Sequence, residues 1–275
     1  MSLLRVEGLS KKFGGVNAVD NLSFDIRPGA VHSIIGPNGA GKTTLLNLLT
    51  GVYRPSAGRI VFDGHDLSGR APYEYARHGI ARTFQNLQVF FNMSALENVM
   101  VGRYMQERCG LVSALLRSPR MARAEHACRD EAAELMRYVG LQNYLSAAAD
   151  AMPYGALKRL EIARALATRP KLMLLDEPAA GLNPTEALEL DDLIGKLAGR
   201  GVTVVLVEHN MRLVMGVSDQ ILVLDYGRKL AEGPALAVRN DPKVIEAYLG
   251  SSVTRDSSSA DAIASAVAVA VEMHR

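Results

Sequence analysis

The tightest constraint on this chain lies between residues 30 and 49. There a short apolar run, Ala30 to Ile35, meets the loop Gly36-Pro37-Asn38-Gly39-Ala40-Gly41-Lys42-Thr43 and then a helix-like stretch, Lys42 to Leu49. The loop fits G-x-x-x-x-G-K-[ST] in full, with a strand before it and a helix after it. Its glycines let successive backbone N–H groups turn inward around phosphate oxygens, and the helix N-terminus adds a favourable dipole. Lys42 would neutralise β/γ oxygens, and the Thr43 hydroxyl would hold Mg²⁺. A glycine-rich turn that merely contains a lysine would not need strand, helix and hydroxyl all in place.

Chemistry on a bound phosphate needs a second half. Leu172-Met173-Leu174-Leu175-Asp176-Glu177 reads as a buried strand ending in two carboxylates. Such a pair is costly unless a positive charge lies nearby, which Mg²⁺ with ATP would supply. Asp176 then holds the Mg²⁺ shell and Glu177 polarises an attacking water as general base. A lone Asp-Glu at a strand end is as often a solvated surface pair. With the upstream loop, the two halves specify an NTPase.

The rest of the chain agrees with that frame. Leu3 to Val6, Leu22 to Ile26 and Gly58 to Phe62 read as strands of the first third, the last closed by the turn pair Asp63-Gly64. From Ser94 to about Leu141 the pattern is helical, with Ala132, Leu135, Met136 and Val139 on one face and a break at Arg117-Ser118-Pro119-Arg120. After Tyr154, helix (Ala156 to Thr168), strand (Leu172 to Leu175), helix (Thr185 to Ala198) and strands (Val202 to Val207, Ile221 to Leu224) follow one another. Continuous apolar strands alternating with helices indicate an α/β fold with a mostly parallel sheet covered on both faces. The tail from Ser251 is rich in Ser, Asp and Ala and reads as flexible.

Composition narrows the class. A chain of 275 residues with 48% hydrophobic and 22% charged residues suits an ordinary globular fold. A net charge of +2 gives no reason to invoke nucleic acid. Cys109 and Cys128 lack metal-type spacing and read as free thiols in a reducing compartment. No apolar stretch reaches the roughly 20 residues that cross a bilayer. The start MSLLRVEGLSKKFGG lacks a secretory layout, so a cytosolic chain attached to a membrane only through a partner is expected.

From about residue 3 to residue 250 the chain resembles an ABC-type ATPase. Asp176-Glu177 is followed by Pro178 and by Ala180-Gly181-Leu182-Asn183, which resembles the D-loop of that family. Phe13, before Gly14-Gly15, matches the aromatic that stacks on adenine, a task suited to an aromatic face. Gln85, in Arg82-Thr83-Phe84-Gln85-Asn86, matches the glutamine that senses Mg²⁺ and the membrane partner, and His209 matches the histidine that contacts the γ-phosphate. Taken alone, Phe13 would be a strand-end core residue, Gln85 a surface residue and His209 structural.

The resemblance implies an α/β P-loop NTPase fold of the ABC ATPase kind. It has a RecA-like, mostly parallel sheet core, an antiparallel β subdomain and a helical subdomain at approximately residues 86–165. The ATPase domain would span residues 1–250 and the tail residues 251–275. ATP would be bound by Phe13 and by Gly36, Pro37, Asn38, Gly39, Ala40, Gly41, Lys42, Thr43 and Thr44. Mg²⁺ would fall to Thr43, Gln85 and Asp176, and catalysis to Glu177, His209 and Gln85.

The signature segment in trans would be Met152, Pro153, Tyr154, Gly155 and Ala156, with a helix starting near Ala156. Against the general LSGGQ, Pro153 replaces the serine that reaches the γ-phosphate across the dimer interface, Tyr154 the first glycine and Ala156 the glutamine. Proline has no donor to offer, though Gly155 and the helix N-terminus keep N–H groups for an anion. Ala156-Leu157 also replaces a glutamine-rich pair, so the resemblance implies hydrolysis slower than is typical of the family.

Longer strings resemble the branch that imports branched-chain amino acids: Phe13-Gly14-Gly15, Pro178 to Pro184, Glu208-His209-Asn210-Met211, Asn240-Asp241-Pro242 and Ala247-Tyr248-Leu249-Gly250. The long insertion around residues 103 to 125 points to the larger of that branch's two ATPase subunits. The resemblance implies a second ABC ATPase subunit as dimer partner, two transmembrane permease subunits and a periplasmic or lipid-anchored binding protein. The place implied is the cytoplasmic face of the plasma (inner) membrane. The alternatives are an exporter or lipopolysaccharide-extraction ATPase, a soluble ABC protein acting on ribosomes or DNA, and a nucleotide-gated module with weak hydrolysis.

Overall fold

A computed structural model describes residues 2–103 and 119–252. Two sheets organise them. An antiparallel sheet has the order β2-β1-β4-β5, with β1 at Leu4–Phe13, β2 at Val16–Ile26, β4 at Ala57–Phe62 and β5 at His65–Asp66. The second has six strands in the order β10-β9-β3-β8-β7-β6. Here β3 is Val31–Ile35, β6 Ile80–Arg82, β7 Leu172–Asp176, β8 Thr203–Val207, β9 Gln220–Asp225 and β10 Arg228–Gly233. All its neighbours pair parallel except β9 and β10.

Every residue of β3, β7 and β8 is buried, which their unbroken apolar runs require. The period of two sorts them onto two cores. Leu172, Leu174, Val205 and Val207 pack with the antiparallel sheet and α1 (Lys42–Leu49). Met173, Leu175, Val204 and Leu206 pack instead with four helices: α3 (Ala95–Arg103), α4 (Pro119–Tyr138), α5 (Tyr154–Ala167) and α6 (Pro184–Gly199). A third cluster joins Ile35 and β9 to α7 (Met211–Val217), α8 (Ala235–Arg239) and α9 (Pro242–Ser252). Helix α2 spans Pro72–His78.

Ala132, Met136 and Val139 are buried along α4 and Leu135 packs partly buried beside them, as the helical spacing requires. Cys128 lies on the same face and is a core residue. Three expectations shift. The helix after the signature begins at Tyr154, two residues earlier, because Pro153 is extended (φ −61°, ψ 155°) and acts as its N-cap. Helix α9 runs to Ser252, two residues into the segment read as a tail. In the expected break, Pro119 already begins α4. Cys109, most of the insertion around residues 103 to 125 and the tail beyond residue 252 lie outside the described residues.

Candidate functional site

Strand β3 delivers the glycine-rich loop at its carboxyl end, and α1 leaves it at Lys42. Gly36, Gly39 and Gly41 hold φ of 151°, 83° and 99°. At Gly36 a Cβ would lie 2.1 Å from the Leu224 carbonyl oxygen, and at Gly41 2.3 Å from that of Ala18. Backbone from β9 and from β2 therefore walls the loop, and no side chain larger than hydrogen fits at either point. The β9–β10 turn secures it further: Gly227 donates its N–H to the Ala40 carbonyl (3.0 Å) and accepts from the Asp20 N–H (2.9 Å). Gly36 also donates its N–H to the Tyr248 hydroxyl of α9, whose pKa burial pushes up to about 12 against that bond.

Lys42 is only 7% exposed and folds back over the loop. Its Nζ donates to the carbonyls of Gly36 (2.7 Å) and Pro37 (3.0 Å). Burial lowers its pKa, and the charges of Glu177 and Asp176 pull the other way. Thr43 is exposed and Thr44 half-buried on the first turn of α1. A run of left-handed glycines, a helix N-terminus and a desolvated ammonium make a concavity suited to a polyanion.

The two carboxylates sit where β7 ends, and His209 follows β8, which lies between β7 and β3. The glycine loop, Asp176, Glu177 and His209 thus meet at the carboxyl edge of one parallel sheet, where α/β proteins bind ligands. Asp176 is buried and accepts from Arg82 Nη2 at 2.8 Å, while Arg82 Nη1 reaches Asn47 Oδ1 on α1 at 2.7 Å. Glu177 takes a left-handed backbone (φ 49°), a strain of about 1 kcal/mol or more for a residue with a Cβ. Its carboxylate accepts from Gln85 Nε2 at 2.8 Å and lies 3.0 Å from His209 Nε2. Gln85, Glu177 and His209 therefore form one cluster.

Sequence reasoning missed several residues that hold this arrangement. Arg82 is one. Glu208 is another: buried, it accepts from the Ala179 N–H (2.7 Å) through one oxygen and from the His209 N–H (3.0 Å) through the other. It ties the segment before Gly181 to the histidine. Asn183, singled out in the sequence as part of the D-loop, also caps α6, and Glu186, which was missed, closes the box by accepting the Asn183 N–H at 3.0 Å. The spacing Asn183-Pro184-Thr185-Glu186 carries that signal in the sequence.

Phe13 stands at the end of β1, exposed, with its ring edge-on to Tyr53 at 5.2 Å and Lys11 Nζ 5.0 Å from its centroid. It is not a core residue. In the signature, Pro153 and Tyr154 are exposed while Met152, Gly155 and Ala156 are buried in this chain's own fold. The Tyr154 ring lies against Gly181, and the Glu186 carboxylate against Gly155, so the signature and D-loop segments abut.

A family model described as ABC transporter matches residues 19–180, and one described as branched-chain amino acid ATP-binding cassette transporter matches residues 228–254. The chain is 46% identical over 249 residues to the high-affinity branched-chain amino acid transport ATP-binding protein LivG of Salmonella typhimurium, covering 90% of this chain and 98% of that protein. To BraF of Pseudomonas aeruginosa, which carries the same description, it is 43% identical with the same coverage. Among solved structures it resembles a nucleotide-free ATP-binding cassette from an ABC transporter (33% identity, TM-score 0.78, 90% of this chain and 99% of that one). It also resembles the dimeric bacterial ABC transporter cassette MJ0796 (25% identity, TM-score 0.72, 84% and 98%).

Proposed function

Because the chain belongs to the ABC transporter ATP-binding family, we propose that it is the ATP-hydrolysing subunit of an importer for branched-chain amino acids. The observation that carries the reading is the cluster of Glu177 with Gln85 and His209 beside the glycine cradle. The substrate class is carried over from LivG and BraF, which the chain matches along nearly their whole length.

Backbone N–H groups of residues 39–44 bind the triphosphate, and Lys42 moves from its loop carbonyls to β/γ oxygens. Phe13 offers its ring face to the base. Thr43, Asp176 and Gln85 would hold Mg²⁺, an all-oxygen donor set that suits a hard cation completed by phosphate oxygens. Bound there, the ion would supply neutralisation of the phosphate charge. Glu177 accepts the proton of the attacking water, and Gln85 and His209 keep its carboxylate aimed. His209 also contacts the γ-phosphate.

An ATPase of an ABC transporter works as a pair on membrane permease subunits. Here the partner is a second, related ATPase subunit, each cradle facing the other's signature. Two permease subunits and a periplasmic or lipid-anchored binding protein complete the importer. Among the described residues no helix is long and apolar enough to cross a membrane. The chain then sits peripherally on the cytoplasmic face of the inner membrane. The altered signature, with Pro153 offering no hydroxyl at the exposed helix start and Ala156-Leu157 in place of a glutamine-rich pair, slows turnover.

Membrane vesicles holding the assembled complex test the whole reading. Wild-type chain should drive ATP-dependent leucine uptake. Glu177→Gln should keep ATP binding while lowering turnover by about 100-fold or more, the scale of a lost general base. Unchanged turnover would remove Glu177 from its role, and uptake of some other solute with no leucine transport would refute the substrate class.

A further inference from the structure

Helix α5 carries two charged residues that no part of the nucleotide site uses. Lys158 and Glu161 are each 3% exposed and stand one turn apart on the same face. A buried ammonium and a buried carboxylate are retained only where their hydrogen bonds are met, so what they contact is informative.

Both contact the main chain around Gln85. Lys158 Nζ donates to the Gln85 carbonyl at 3.0 Å, and the Phe84 N–H donates to Glu161 Oε1 at 3.3 Å. The Gln88 N–H bonds the same carboxylate. One turn further along α5, Arg164 lies 5.3 Å from the Phe90 ring centroid. The loop from Phe84 to Gln88 is thus grasped on both sides of Gln85 by one helix. Its free end, the Gln85 amide, holds Glu177.

The same helix begins at Tyr154 in the signature. We propose that Lys158 and Glu161 are positioning residues that carry movement of the signature helix to Gln85 and through it to Glu177. Hydrolysis at this chain's own cradle is then gated by what its signature end engages on the partner chain. Both side chains are turned onto the Phe84–Gln85 main chain and buried there, so their polar atoms act on that loop. The inference rests on the reading of Gln85 and Glu177 given above.

Steady-state ATP turnover of Lys158→Met, Glu161→Leu and Glu161→Gln, each alone and on Gln85→Ala, tests it. The first two should lower kcat about tenfold and leave the KM for ATP within about twofold, the pattern of a group that acts only on the chemical step. Glu161→Gln should recover most of the loss, since its amide oxygen still accepts both N–H groups. On Gln85→Ala, Lys158→Met should add less than about twofold, because residues acting through one another are not additive.

Hydrogen exchange gives a readout that needs no turnover: Glu161→Leu should speed exchange at Phe84 and Gln88 and leave Gly39 to Thr43 unchanged. Retained kcat, a raised KM with kcat intact, full additivity with Gln85→Ala, or unaltered exchange would each overturn the proposal. If Gln85→Ala and Glu177→Gln themselves leave turnover intact, the site reading falls and takes this inference with it. If those two stop turnover and Lys158→Met does not, the gating inference alone falls.

Discussion

Replacing Arg82 by methionine exposes how much of this fold depends on the acid at the end of β7. The Arg82 and Asp176 side chains are 6% and 7% exposed, and the same guanidinium reaches Asn47 on α1. Removing one partner of a buried pair costs about 3–5 kcal/mol, because the other charge stays in a place where water cannot reach it. The lost bond to Asn47 adds about 1 kcal/mol. In a chain of this size about 4–6 kcal/mol corresponds to a fall in Tm on the order of 10 °C.

Arg5→Met is the control. Its partner is Asp25, and both side chains are more than half exposed. Such a pair contributes about 0–1 kcal/mol. Thermal melts followed by circular dichroism without nucleotide measure both. The double variant Arg82→Met/Asp176→Leu completes the test, since exchanging a whole buried pair for apolar groups is often close to neutral. It should recover at least half of the loss. A single variant melting within about 2 °C of wild type would refute the assignment of a buried, unrelieved charge, as would a double variant less stable than the single.

Lys42→Ala should abolish the stabilisation that ATP gives, about 2.7 kcal/mol for wild type at one hundred times its Kd, read as a Tm shift. Without nucleotide the variant should be no less stable than wild type at neutral pH. The folded pKa of Lys42 lies below the free value of 10.5, so its desolvation cost is fully present below that folded pKa and fades as pH rises towards 10.5. Glu161 predicts a pH effect of the opposite origin. Burial raises its folded pKa above 4.5, so wild type loses stability as pH climbs through the interval between those values. Urea unfolding should find the advantage of Glu161→Gln over wild type growing from pH 4.5 towards neutrality, and parallel curves would contradict it.

What could be read from residues alone was the part governed by local pattern. The loop from Gly36 to Thr43 states its backbone through its glycines, and β3, β7 and β8 announce burial on both faces through unbroken apolar runs. The elements that escaped notice are those whose reasons lie elsewhere in the chain. Strand β6 is three residues long and exists because it pairs with β7. Strand β10, Arg228-Lys229-Leu230-Ala231-Glu232-Gly233, has the charged composition of an edge and follows a turn in which Tyr226 takes a positive φ. Arg82, Glu208, Lys158 and Glu161 look like ordinary surface charges in sequence, and only tertiary contact reveals them as buried struts. For Gln85 and His209 the spacing was silent; the family resemblance singled them out, and the fold brings both to the Glu177 carboxylate.

The glycine-rich loop has one wall from the parallel sheet, at Leu224, and another from the antiparallel sheet, at Ala18. Its geometry is therefore set by how two layers dock, and it cannot relax without shifting one against the other. Phe13, at the edge of the antiparallel layer, is carried by the strand that pairs with β2. On the proposed reading, the base end of the nucleotide would meet the antiparallel layer and its phosphates the loop that both layers wall. A displacement of one sheet against the other would therefore reshape the loop itself, whatever the helices packed on the far face of the parallel sheet do.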